Sequence, residues 1–91
     1  MWESFKWNGL NVEAKVYGEG SSFGINGGRV SKLMVYNNHA SILPNRGAGW
    51  LLNYDRSWDF CELSEVEVAE IVAEAERRMT PEAYCTALGI N

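Results

Sequence analysis

Histidine, cysteine and long apolar runs are scarce in this sequence, and each scarcity removes a class of protein. The single His39 is far in sequence from Cys61 and Cys85, so neither a four-ligand zinc site nor a disulfide framework is expected. Both cysteines read as buried thiols of a reducing compartment, with one disulfide or a reactive thiol as the alternatives. No stretch of about 18 apolar residues occurs, and Met1-Trp2-Glu3 supplies neither the basic flank nor the apolar run of a signal peptide. A membrane span and export are therefore not expected, and the cytoplasm is the expected location. The order GxxxxGK[ST] of a phosphate-binding loop is missing, as is any nucleophile motif, and His39 has no local general-base partner. Catalysis is disfavoured, and no metal or cofactor is expected.

What remains is ordinary globular material. With 91 residues there is room for one core, and 46% hydrophobic against 22% charged residues is too apolar for a disordered chain. The whole of 1–91 reads as a single domain, with a β part over 1–62 and a helical part over 63–91. The net charge of −4 conceals a split: 1–50 carries five Lys/Arg against three Glu, whereas 51–91 carries three Arg against nine Asp/Glu. A basic first half suits phosphate; an acidic second half suits a basic partner or a solvated helix face.

The apolar pattern alternates through Trp2 to Val16 and breaks at Asn8-Gly9. That pair suits a tight type I′ turn because Asn tolerates, and Gly freely adopts, positive φ. Residues 21–25, Asn26-Gly27-Gly28 and 29–36 read as a second hairpin, with Lys32 beside Val30, Met34 and Tyr36 on the solvent face and Ser31, Leu33 and Val35 on the other. Residues 37–49 read as a long loop of mobile or contact character. In 50–62, Trp50, Leu52 and Tyr54 alternate with Leu51, Asn53 and Asp55, and a bend at Asp55-Arg56-Ser57 precedes a short extended piece, 58–60. Ser64 and Glu67 form a capping box, after which Val68, Ile71, Val72, Ala75 and Met79 fall at helical spacing. Thr80-Pro81 starts a second, shorter helix.

Three constellations bear on function. Residues 20–32, GSSFGINGGRVSK, bring four Gly, three Ser, Arg29 and Lys32 together, a composition that serves a plain turn or an anion cradle. Trp2, Trp7, Trp50, Trp58, Tyr17, Tyr36 and Tyr54 are more aromatic surface than a domain of this size conceals, so some stand exposed to stack a base or fill a partner's pocket. Residues 53–59, NYDRSWD, set Asp55 and Asp59 beside Arg56, Tyr54 and Trp58. Two carboxylates without a third ligand or a histidine make a poor catalytic pair, and a local Arg56–Asp network fixing the bend is the expected use.

The stretch SSFGINGGRVSKLMVY (21–36) followed by NYDRSWD (53–59) resembles a signature of small uncharacterised domains encoded by bacteriophages, prophages and Firmicute genomes. Ser57 stands where that pattern leads one to expect Gly. The resemblance implies a protein acting in the cytoplasm of a bacterial host, and by analogy of size and acidity a phage inhibitor of immunity. The fold expected is α+β: a four-stranded, mainly antiparallel sheet of β-hairpins followed by two C-terminal helices packed on one face, with homodimerisation through a sheet edge or the free face open. The function expected is non-enzymatic binding of a host defence protein. The alternatives are sequestration of a nucleotide messenger through the glycine-rich hairpin, a structural or interaction domain with no defence role, and a small hydrolase or transferase built on Asp55 or Asp59. Arg29, Lys32, Arg46, Tyr54, Asp55, Arg56 and Trp58 are the expected partner-binding residues, and direct nucleic-acid binding is not expected.

Overall fold

The computed structural model describes residues 1–40 and 48–89 and shows an α+β architecture. Five antiparallel strands, β1 (Trp2–Trp7), β2 (Leu10–Val16), β3 (Val30–Tyr36), β4 (Trp50–Asp55) and β5 (Trp58–Cys61), pair in chain order as a meander. Two helices follow, α1 (Glu65–Arg78) and α2 (Pro81–Ala87). No described helix is long and apolar enough to cross a membrane.

Strand alternation makes one sheet face apolar. Phe5, Val12, Ala14, Val16, Leu33, Val35, Leu52 and Tyr54 are buried there, and α1 lays Val68, Ile71 and Ala75 onto them in one cluster. Burying each such aliphatic side chain contributes about 1.5–3 kcal/mol before chain entropy is counted, so this cluster is what holds helix to sheet. The first hairpin turns at Asn8 (φ 48°) and Gly9 (φ 78°), which sets Trp7 against Leu10 and Phe5 against Val12. Helix α1 starts at the capping box, with the Ser64 hydroxyl accepting from the Glu67 amide and the Glu67 carboxylate accepting from the Ser64 amide. In α2 the Thr80 side chain accepts from the Ala83 amide, with Pro81 in the first turn.

The structure departs from the sequence reading in five places. The sheet has five strands rather than four, because Arg56 adopts a left-handed conformation (φ 63°) that reverses the chain and pairs 58–61 with β4. Residues 21–25 form no strand. Tyr17 instead donates its amide to the Arg29 carbonyl, and the chain between them folds into a compact excursion around a 3₁₀ turn at Ile25–Gly27, with Ile25 buried. Val30 is buried rather than beside Lys32, since Ser31 is an extra residue in β3 where Lys15 pairs with Lys32 and Val16 with Val30. Leu51 likewise interrupts β4, so that Trp50 pairs with Tyr36 instead of continuing the face of Leu52 and Tyr54. Finally, Cys61 and Cys85 are exposed free thiols, one on the edge strand β5 and the other on α2, which buries none of its residues.

The excursion is possible because its backbone strands touch. A Cβ on Gly24 would sit 1.9 Å from the Gly28 carbonyl oxygen and one on Gly20 2.3 Å from that of Gly27, whereas Gly27 (φ 73°) has open space around it. Gly24→Ala is therefore expected to cost at least about 2 kcal/mol by forcing the backbone apart, and Gly27→Ala about 1 kcal/mol for its left-handed φ alone. Urea denaturation of the two variants would show this ordering.

Candidate functional site

A cleft of about 700 Å³ opens where the solvent-facing side of the sheet meets the 17–29 excursion and α2. Its walls come from Lys15 of β2, Ser31 and Lys32 of β3, Arg56 of the β4–β5 turn, 17–21 and Phe23 of the excursion, and Tyr84 and Cys85 of α2. Three cations and one carboxylate, Glu19, line it, so the cleft is positive in a chain whose net charge is −4. A concave positive surface in an acidic protein focuses field lines toward anions.

The register explains how the cations come together. Lys15 and Lys32 are directly opposed on neighbouring strands, and Lys32 is in turn opposed to Asp55. Like charges in that position repel. The Asp55 Oδ1 atom lies 3.7 Å from the Lys32 ammonium and 3.4 Å from the Arg56 Nε, relieving part of the repulsion on one side. Among the described residues no carboxylate pairs with Lys15, whose ammonium lies 5.6 Å from the Tyr17 ring centroid. The two bonds of Asp55 are solvent-exposed and contribute little to stability, so they position charge more than they hold the fold.

The aromatic wall is built from three places in the chain. Tyr17 and Tyr84 meet edge to face at 6.0 Å, and Gly18 passes directly beneath the Tyr84 ring, where a Cβ would sit 2.7 Å from the ring. Phe23 is 58% exposed, an unusual setting for a phenylalanine, and its carbonyl accepts a 2.7 Å hydrogen bond from the Tyr54 hydroxyl. Ser31, the bulged residue and a buried polar group on this wall, accepts through its carbonyl from the Arg56 amide at 2.8 Å. Bulges of this kind re-aim side chains beside sites.

Of the residues singled out in the sequence, the cleft brings together Lys32 and Arg56, with Asp55 bridging them. Tyr54 belongs to the core and supports the wall from behind. Trp58 is half exposed and packs edge to face on Tyr54 at 4.9 Å. It lines a second groove, with Ile25, Leu63, Val68, Val72, Glu65 and Glu76. Arg29 is elsewhere: its guanidinium donates to the carbonyls of Tyr17, Glu76 and Met79, while its amide donates to the Glu76 carboxylate. Arg46 lies outside the described residues, as does the middle of the 37–49 loop; His39, near its start, is exposed. Sequence reasoning missed Lys15, Phe23 and Tyr84 as partners, and named Tyr17 only within the set of aromatics of which some stand exposed. Lys15 had a signal, since it alternates with Ala14 and Val16; Tyr84 had none, because nothing local connects it to Gly18.

Residues 1–77 match the family described as Domain of unknown function (DUF7678). The chain belongs to this family. No curated protein and no solved structure matches it. The family match takes in the sheet, the excursion and nearly all of α1, so the three cations of the cleft lie within it, while Tyr84 and Cys85 lie beyond.

Two measurements follow from this geometry. Arg29→Ala leaves three carbonyls without their donor, and a loss of about 2–4 kcal/mol in denaturant titration is expected, with α1 and the excursion affected together. On the open sheet face the Tyr36 hydroxyl donates to Glu13 at 2.5 Å, and this bond, helped by burial and the carboxylate's charge, raises the phenol above its ordinary value of 10.0. A raised value means that the contribution of the Glu13–Tyr36 bond is fully present below pH 10 and is lost as pH rises through the folded-state value. Ultraviolet titration should show a late-ionising phenol that Tyr36→Phe removes.

Proposed function

We propose that this chain is a non-enzymatic binding protein whose cleft holds a small anionic ligand carrying a flat ring, of which a nucleotide is the natural chemical class. The observation that carries the reading is the opposition of Lys15 and Lys32 across two strands, with Arg56 beside them. That arrangement is unfavourable when the cleft is empty and becomes favourable when a phosphate lies between the ammonium groups. Tyr17, Tyr84 and Phe23 supply faces and edges for a base, and stacking of this kind contributes about 1–3 kcal/mol per base. In a phage setting, which the resemblance of 21–36 and 53–59 implies, such a protein acts by withholding a nucleotide messenger of bacterial immunity.

A second reading, capture of a host defence protein, is favoured by the half-exposed Trp58 in the groove beside α1, where an indole stands among Leu63, Val68 and Val72 with Glu65 and Glu76 alongside. Exposed tryptophans are frequent anchors of protein interfaces.

Native mass spectrometry of protein purified from bacterial cells, followed by calorimetric titration with mono- and oligonucleotide messengers, separates the two. A retained nucleotide whose binding weakens with salt and is abolished by Lys15→Glu or Lys32→Glu, with stability changed by less than about 0.5 kcal/mol, is the expected outcome. An apo mass together with no nucleotide heat overturns it in favour of the protein partner, whose capture should then be lost in Trp58→Ala and weakened by reversing Glu65.

A further inference from the structure

The meander leaves β1 with a neighbour on one side only, and among the described residues nothing pairs with its outer edge. An unprotected edge is a template for another strand. Which groups face outward follows from the hairpin. The Met1 amine donates to the Val16 carbonyl and the Met1 carbonyl accepts from the Val16 amide, so the odd-numbered residues of β1 turn their backbone groups toward β2. Trp2, Ser4 and Lys6 therefore present theirs outward.

We propose that β1 pairs antiparallel with β1 of a second copy of this chain, centred on Ser4, to make a continuous ten-stranded sheet. A two-fold axis normal to the sheet places residues of like parity opposite each other, which leaves few registers. Centring on Glu3 or on Lys6 opposes two like charges. Centring on Phe5 opposes two phenyl rings that each carry an Arg78 guanidinium 4.6 Å from the centroid, bringing those cations together, and leaves Trp2 opposite Asn8 in the turn. Centring on Ser4 pairs all three outward-facing residues of each strand, Ser4 with Ser4 and Trp2 with Lys6.

The side chains agree with that register on both faces. On the helix side, Glu3 of one copy lies opposite Phe5 of the other, beside the Arg78 stacked on it. Arg78 uses its Nε on Glu74 and keeps other N–H donors for a second carboxylate. On the open side, the 48% exposed Trp2 lies against the apolar stem of Lys6, whose ammonium donates to Asn11 and Asn38 of its own copy. Residues that serve as charged guards on an isolated edge thus become complementary pairs when the edge meets itself. This inference is independent of what the cleft binds.

Sedimentation equilibrium at high micromolar concentration tests it. The expected result is a mass about twice 10.2 kDa. Ser4→Pro removes an outward amide without touching the β1–β2 ladder and should give the monomer mass with an unchanged far-ultraviolet circular dichroism spectrum. Glu3→Arg should weaken the dimer about tenfold, and adding Arg78→Glu should restore it. A wild-type monomer overturns the proposal, as does a dimer indifferent to both single variants; if Ser4→Pro fails to fold, Glu3→Arg and its reversal decide alone.

Discussion

The Arg29 side chain is the hub on which this architecture turns. Its guanidinium gathers the carbonyl that ends β2's extension, Tyr17, and two carbonyls at the end of α1, Glu76 and Met79, while the Glu76 carboxylate takes the Arg29 amide. The last carbonyls of a helix have no partners within it, and a cation there answers both the missing hydrogen bonds and the negative end of the helix dipole. One residue thereby fixes where the excursion begins and ends and where the helix stops. The positions of Gly18, Phe23 and Tyr84 around the cleft follow from those anchors.

Charge in the molecule is distributed by the same economy of position. The acidic second half does not form one uniform face. Glu74 is held by Arg77 and Arg78, whose hydrogen bonds keep its carboxyl below the ordinary value, and Glu76 is committed to Arg29. Glu67 closes the helix start. On the sheet side, Lys15 and Lys32 of the open face line the cleft, and Asp55 meets two of its cations from one oxygen. The positive cleft in a negative protein is therefore a consequence of strand register and helix capping, not of composition.

The local devices were legible in the sequence because each is a short-range preference with one structural answer. Asn8-Gly9, the Ser64–Glu67 box, the Thr80-Pro81 start and the apolar spacing of α1 all appear as read. What failed was whatever depends on a residue count between partners. The extra residues Ser31 and Leu51 shift Val30 and Trp50 to unexpected faces, and a bulge cannot be told from a regular strand by alternation alone. The glycines of 20–28 suggested a hairpin because φ freedom is the usual reason for glycine; Gly20 and Gly24 serve close backbone approach instead. Arg29 drew attention as a free cation, and only the fold shows the carbonyls that occupy it. The same limit explains the cleft: Lys32 and Arg56 stand out by type and alternation puts Lys15 on the open face, but only strand pairing sets Lys15 opposite Lys32 and only packing brings Tyr84 to Gly18.

Helix α2 has no buried residue, and its Tyr84 ring rests on the bare backbone of Gly18. The shared family segment ends at residue 77, before this helix begins. The cleft is thus made of two parts with different support. Its charged floor stands on paired strands, whereas one aromatic wall is carried on a helix that buries none of its residues. A change confined to this helix would reshape the aromatic wall while leaving Lys15, Lys32 and Arg56 where they are.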